Sequence, residues 1–253
     1  MLPLFEHWPS VVRQLRAAPT IALFLDFDGT LAQLQPRPED VWLDGFVRHT
    51  LTLLARSRRF RVWVISGRRQ ADVRTRVGVP GIRYLGLHGW EGGNRGAFLS
   101  EDAQRSLASV LDSLTRRLAN IPGTWIEDKV WALTVHYRNA PHPAAVEARA
   151  VIASVIAPFS AELRTQEGAC VWEILPREIQ DKGAAVRKEI DSLPARALSI
   201  YVGDDQVDEP AFTALPQGLT VHVGRDSESS ARYRLAGVPL VRVFLNRLRT
   251  QFA

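Results

Sequence analysis

The chain has 253 residues, is 46% hydrophobic and carries a net charge of +5, enough apolar content for one large core or two smaller ones without metal or disulfide staples. A single cysteine, Cys170, excludes an intramolecular disulfide, and no apolar run approaches the length of a membrane span, since Ile21–Leu25 stops at Asp26. The arginines are interleaved with acids and form no dense basic arm, which argues against a nucleic-acid partner.

The first ten residues contain Glu6, His7 and Pro9 where an export signal needs a basic start and a long apolar stretch, so a cytoplasmic protein is expected. Neither a membrane nor a nucleic-acid partner is expected, and a monomer is. Lys129, Lys182 and Lys188 are the only lysines in an arginine-rich chain, which singles out each of them.

In chain order, the apolar run Ile21–Leu25 reads as a buried strand, Leu43–Ser57 as a helix, Arg61–Ile65 as a strand, Arg69–Arg76 as a helix and Ile82–Leu87 as a strand. The order then changes to helix Asp102–Ala119, strands Thr124–Glu127 and Val130–Tyr137, helix Pro143–Ile156, and strands Ala161–Thr165 and Cys170–Leu175. Alternation resumes with helix Lys182–Ser192, strand Leu198–Val202, helix Glu209–Leu215, and strands Leu219–Val223 and Val238–Val241. The fold class is therefore α/β: a Rossmann-like parallel sheet flanked by helices, with an inserted α+β module. The expected core is residues 1–101 and 176–253, and the insert is residues 102–175.

Four segments carry chemistry. In Leu25-Asp26-Phe27-Asp28-Gly29-Thr30 a strand ends in two acids at i and i+2, which point the same way on an extended chain and need a cation or a shared proton. Asp26 can attack phosphorus, while Asp28 can protonate a leaving oxygen and later activate water. Ser66 and Gly67 follow the second core strand, where a hydroxyl and the N–H groups of a helix start make a phosphate cradle. Lys182, at a helix start, suits neutralisation of a carboxylate or a phosphoryl oxygen. Finally, Gly203-Asp204-Asp205-Gln206-Val207-Asp208-Glu209 offers carboxylates after another strand, and Mg²⁺ takes oxygen ligands.

In this order the segments resemble the haloacid dehalogenase superfamily of phosphotransferases. The resemblance implies Asp26 as nucleophile, Asp28 as acid/base and carbonyl ligand, Ser66, Gly67 and Lys182 as phosphate or charge contacts, and a Mg²⁺ site from Asp26, Asp28, Asp204, Asp205 and Asp208. It also implies that the insert is a C2-type cap carrying specificity. More narrowly, Gly86-Leu87-His88-Gly89, Glu127-Asp128-Lys129, Val135-His136-Tyr137-Arg138 and Trp172-Glu173-Ile174-Leu175-Pro176 are similar to the trehalose-6-phosphate phosphatase family. That likeness implies sugar contacts from Glu127, Lys129 and Glu173, with Arg68, His88 and Arg138 as further substrate-binding residues, and trehalose 6-phosphate as substrate. Other sugar phosphatases of the superfamily, of the sucrose-phosphate or mannosyl- and glucosyl-phosphoglycerate type, are the alternative, and a non-catalytic sugar-phosphate or nucleic-acid binding protein is the alternative outside the enzymes. Two positions depart from the family pattern: Gly168-Ala169 stands where Gly-Lys is usual, and Val207 where Thr is common.

Overall fold

A computed structural model describes residues 1–92, 98–168, 170–224 and 228–253; Ala169, one of the two departures, lies outside the described residues. The elements in order are β1 (Leu2–Pro3), α1 (Trp8–Ala17), β2 (Thr20–Leu25), α2 (Gly45–Arg56), β3 (Phe60–Ile65), α3 (Gln70–Val77), β4 (Arg83–Leu85), α4 (Glu101–Leu118), β5 (Trp125–Asp128), β6 (Leu133–His136), α5 (His142–Ile156), β7 (Leu163–Gly168), β8 (Val171–Pro176), α6 (Lys182–Ile190), β9 (Ala197–Gly203), α7 (Glu209–Thr213), β10 (Leu219–Val223), β11 (Tyr233–Leu235) and α8 (Val238–Phe252). They fall into two compact units, residues 1–96 with 181–253, and residues 97–180.

The first unit is built on seven parallel strands in the order β1-β11-β10-β9-β2-β3-β4. Strands buried on both faces must be apolar throughout, and β2 buries Ile21, Ala22, Leu23, Phe24 and Leu25 without a break. Alternate side chains divide between two cores. Ile21, Leu23 and Leu25 join Val64, Val202 and residues of α2 and α8 on one face, whereas Ala22, Phe24, Trp63 and Tyr201 join Val186 of α6 and Phe212 of α7 on the other. Asp44 caps α2 by accepting from the N–H groups of Phe46 and Val47. Asp181 likewise accepts from Ala184, which fixes the start of α6 and places Lys182 in its first turn.

The second unit pairs two helices, α4 and α5, with four antiparallel strands in the order β5-β6-β8-β7. Leu133, Val135, Trp172 and Ile174 face the helices and pack with Leu107, Val110, Leu114 and Ile152. The alternate residues face the other way. There Glu127 on β5, Thr134 on β6, Glu173 on β8 and Gln166 on β7 stand in one row across the sheet.

Two expectations need correction. Val238–Val241 is the first turn of α8, not a strand: Pro239 suits a helix start, and Val241, Phe244, Leu245, Leu248 and Phe252 are buried at helical spacing. The strand expected over 82–87 covers only Arg83–Leu85, because the chain turns at Leu87–Gly89 into a short 3₁₀ segment. Strands β1 and β11 and helix α1 add to the expected elements. Among the described residues no helix is long and apolar enough to cross a membrane.

Candidate active site

In an open parallel sheet, ligands lie beyond the carboxyl ends of the strands, at the point from which the chain runs outward in both directions. That point is β2, flanked by β9 and β3. Asp26 follows β2, Ser66 follows β3, and Asp204 follows β9, so three adjacent strands bring the three segments to one edge of the sheet. Lys182 reaches the same place from α6.

There the ammonium of Lys182, only 1% exposed, donates to Asp26 Oδ1 at 2.6 Å and to Asp208 Oδ1 at 2.7 Å. Asp208 is fully buried. It also accepts from the Tyr201 hydroxyl at 2.6 Å, and its Oδ2 accepts from the N–H groups of Asp204 and Asp205 at 3.0 and 3.1 Å. Asp204 is oriented by the hydroxyl of buried Thr30, 3.0 Å from its Oδ1. Both turns are close fits. A Cβ at Gly29, whose φ is +82°, would lie 2.0 Å from Asp204 Oδ2, and one at Gly203 would lie 2.3 Å from Asp208 Cγ.

Oxygens of Asp26, Asp204 and Asp208 lie within 4.8 Å of one another. When fully ionised, three carboxylates against one ammonium carry two net negative charges in a buried place, a donor set and charge that fit a divalent cation. The strain of holding those charges without a cation shows in their proton affinities. Burial, opposed by Lys182 and helped by Asp208, pushes Asp26 up to about 7. Burial, with the charges of Asp26 and Asp208, pushes Asp204 up to about 9. Burial works against charge on Lys182, but Asp208 and Asp26 outweigh it and hold the ammonium well above its ordinary range.

Asp28 takes a different partner. The Arg68 guanidinium binds it through both oxygens, Nε to Oδ2 and Nη2 to Oδ1, each at 2.7 Å. Arg68 also donates to the Pro38 carbonyl at 2.8 Å and to Asp72 at 3.0 Å. Asp72 in turn accepts from Arg76, whose Nη1 donates to the carbonyls of Glu39 and Val41. A chain of charges running through α3 thus ties Asp28 to residues 38–41, further along the same loop between β2 and α2. Ser66, 1% exposed, accepts from the Arg68 N–H at 3.1 Å, which leaves the serine hydroxyl to donate. Gly67 is half-buried in the same loop. The loop is hooked from behind by Leu87 and His88, both left-handed with φ of 45° and 59°, whose N–H groups donate to the carbonyls of Arg68 and Ser66 at 2.8 and 2.9 Å.

The structure places the remaining expected residues as follows. Asp205 accepts from Gln206 N–H at 2.7 Å and starts the 3₁₀ turn over 206–208. In the second unit, Lys129 and Glu173 are buried and paired at 2.9 Å, the Glu127 carboxylate accepts from His136 Nε2 at 2.9 Å, and Trp125 stacks on His136 with centroids 3.7 Å apart. Arg138 stands in the exposed turn after β6. The pairing of Arg68 with Asp28 and the Thr30 contact to Asp204 join residues distant in sequence, the Tyr201 contact to Asp208 spans seven residues, and sequence reasoning missed all three.

A parallel core carrying acids beyond its central strands, with an inserted antiparallel unit, is the fold of haloacid dehalogenase-like hydrolases. One from Bacteroides thetaiotaomicron matches with a TM-score of 0.66 at 14% identity, over 90% of this chain and 99% of that one. The trehalose-phosphatase family model matches residues 24–239, and the chain belongs to that family. A trehalose-phosphate phosphatase of Mycobacterium marinum is 35% identical over 249 residues, which are 93% of this chain and 63% of the relative, so the chain spans less than two thirds of that protein's length. The C-terminal domain of the C. albicans trehalose-6-phosphate phosphatase has a TM-score of 0.83 at 20% identity, covering 97% of this chain and 98% of that one.

Proposed function

We propose that the chain hydrolyses trehalose 6-phosphate to trehalose and phosphate, with Asp26 as nucleophile and Mg²⁺ as the cation held by Asp26 and Asp204. The observation that carries this reading is the placement of Asp26 at the end of β2, held at 2.6 Å by a buried ammonium and facing Asp204 across a cluster that needs a cation. Membership of the family supports the choice of sugar.

In the first half-reaction an Asp26 carboxylate oxygen attacks phosphorus, the bond from phosphorus to the sugar oxygen breaks, and that oxygen takes a proton from Asp28. In the second, Asp28 takes a proton from water, whose oxygen attacks the phosphorus of the aspartyl phosphate, releasing phosphate and restoring Asp26. Lys182 holds the nucleophile in place. The Ser66 hydroxyl orients a phosphoryl oxygen. Asp28 must exchange Arg68 for the ester oxygen, so Arg68 sets where the acid rests between turnovers. When bound, Mg²⁺ supplies charge neutralisation for the phosphoryl group.

Residues 97–180 are proposed to be the cap that selects the sugar. Vicinal hydroxyls match an ammonium beside carboxylates, which supports Lys129, Glu173 and Glu127 as the hydroxyl contacts and His88 and Arg138 as accessory ones. The deciding experiment is phosphate release from a panel of sugar phosphates. Trehalose 6-phosphate is the expected preferred substrate, and turnover of sucrose or mannosylglycerate phosphates without it overturns the assignment. Asp26→Asn is expected to abolish turnover with an unchanged circular dichroism spectrum; retained activity removes Asp26 as nucleophile.

A further inference from the structure

We propose that Tyr201 is a positioning residue of this site, acting through Asp208, and that Asp208 anchors Lys182 and the 204–205 backbone instead of ligating the cation. The inference rests on the phosphatase reading and deepens it by dividing the three clustered carboxylates into two roles.

A carboxylate has about four lone-pair sites. On Asp208 all four have donors: Lys182 Nζ at 2.7 Å and Tyr201 Oη at 2.6 Å on Oδ1, and the N–H groups of Asp204 at 3.0 Å and Asp205 at 3.1 Å on Oδ2. A cation could bind Asp208 only by evicting one of them from a group with no exposure to water. The backbone donors cannot leave without moving the loop that carries Asp204. Lys182 cannot leave without loosening its contact to Asp26. The geometry therefore leaves Asp26 and Asp204 as the carboxylates open to a cation, with Asp208 holding both in place.

Tyr201 completes that arrangement. Its ring lies among Phe24, Trp63 and Phe212, packed edge-on against Phe212 at 5.5 Å, so a phenylalanine fills the same space. Packing alone does not call for the hydroxyl. A buried hydroxyl is costly unless it is bonded, and this one is bonded to Asp208. Without it, Lys182 becomes the sole donor to Asp208 Oδ1 and is drawn from Asp26, and the carboxylate is free to rotate beneath the Asp204 loop.

The test is a double-mutant cycle of Tyr201→Phe and Asp208→Asn, with two readouts. In Tyr201→Phe, kcat should fall roughly 10-fold with KM within about twofold, and Mg²⁺ affinity, measured by titration calorimetry without substrate, should fall by a similar factor. In the Asp208→Asn background, Tyr201→Phe should change neither quantity further. Independent, additive effects overturn the proposal, as do wild-type kcat and Mg²⁺ affinity in Tyr201→Phe. So does loss of its native near-ultraviolet circular dichroism, which makes the hydroxyl a folding element. Because the calorimetric arm uses no ester, it stands or falls apart from the identity of the sugar.

Discussion

Replacing Lys182 by methionine removes a charge while nearly conserving length and volume, so it isolates what the ammonium does in a site where it is 1% exposed. At an effective dielectric of about 20, the contacts of 2.6 and 2.7 Å to Asp26 and Asp208 amount to about 6 kcal/mol of attraction apiece. Desolvation of the three groups cancels much of this. Removing one partner from such a buried arrangement typically costs about 3–5 kcal/mol. The substitution removes the one positive charge that faces both Asp26 and Asp208. In chelator near neutral pH, urea unfolding of Lys182→Met is therefore expected to show a loss of about 3–5 kcal/mol. Turnover should fall about 10²–10³-fold, the scale for losing one preorganised charge contact. The stability deficit should shrink on acidification, because protonated carboxylates no longer repel one another. Unchanged stability in chelator, or a deficit that ignores pH, refutes the view that Lys182 neutralises this cluster.

Further outcomes follow from the same site. Asp26 and Asp204 have folded-state proton affinities raised to about 7 and about 9 from 3.8, so between those values the native state binds more protons than the unfolded one. Cation-free stability from these groups is complete below about pH 4 and is lost as pH rises through about 7 and then 9; saturating Mg²⁺ should flatten the slope of the thermal midpoint against pH, and a slope untouched by Mg²⁺ contradicts the site. Gly29→Ala drives a Cβ to 2.0 Å from Asp204 Oδ2 at a φ of +82°. It should cost about 1–3 kcal/mol in thermal unfolding and weaken calorimetric Mg²⁺ binding, whereas wild-type values would mean that the turn relaxes freely. Lys129→Met removes the ammonium 2.9 Å from buried Glu173 and should raise KM for the sugar phosphate far more than it lowers kcat; the opposite pattern in steady-state kinetics would separate this pair from sugar recognition.

The sequence announced the central strands because each is a continuous apolar run ended by a polar residue, and burial on two faces requires just that. Asp26, Ser66 and Asp204 were legible for the same reason: each closes such a run. Val238–Val241 misled because four residues around a proline have no period; the helical repeat emerges only through Phe244, Leu248 and Phe252. Strands of two or three residues, such as Leu2–Pro3 and Tyr233–Leu235, owe their form to the neighbour they pair with and leave no local signature. Side-chain partners were the least legible. Arg68 sits 40 residues from Asp28, so only folding reveals that they meet, whereas a carboxylate partner for Lys182, 156 residues from Asp26, was among the expectations. Tyr201, by contrast, is seven residues from Asp208, but its hydroxyl reads as one more aromatic in a buried strand.

The hook made by Leu87 and His88 holds the loop after β3 by main-chain contacts. Each non-glycine residue in a left-handed conformation costs on the order of 1 kcal/mol, and here two in succession direct their N–H groups onto the carbonyls of Ser66 and Arg68. With those two carbonyls held, and with the N–H groups of Ser66 and Arg68 donating to the Leu85 carbonyl and the Ser66 hydroxyl, the backbone around Ser66 is fixed from both sides. The contacts of the hook are peptide-to-peptide, so the exchange of a nearby charged residue would leave them standing. The aim of the Ser66 hydroxyl is in this sense built into the main chain before any cation or ammonium contributes.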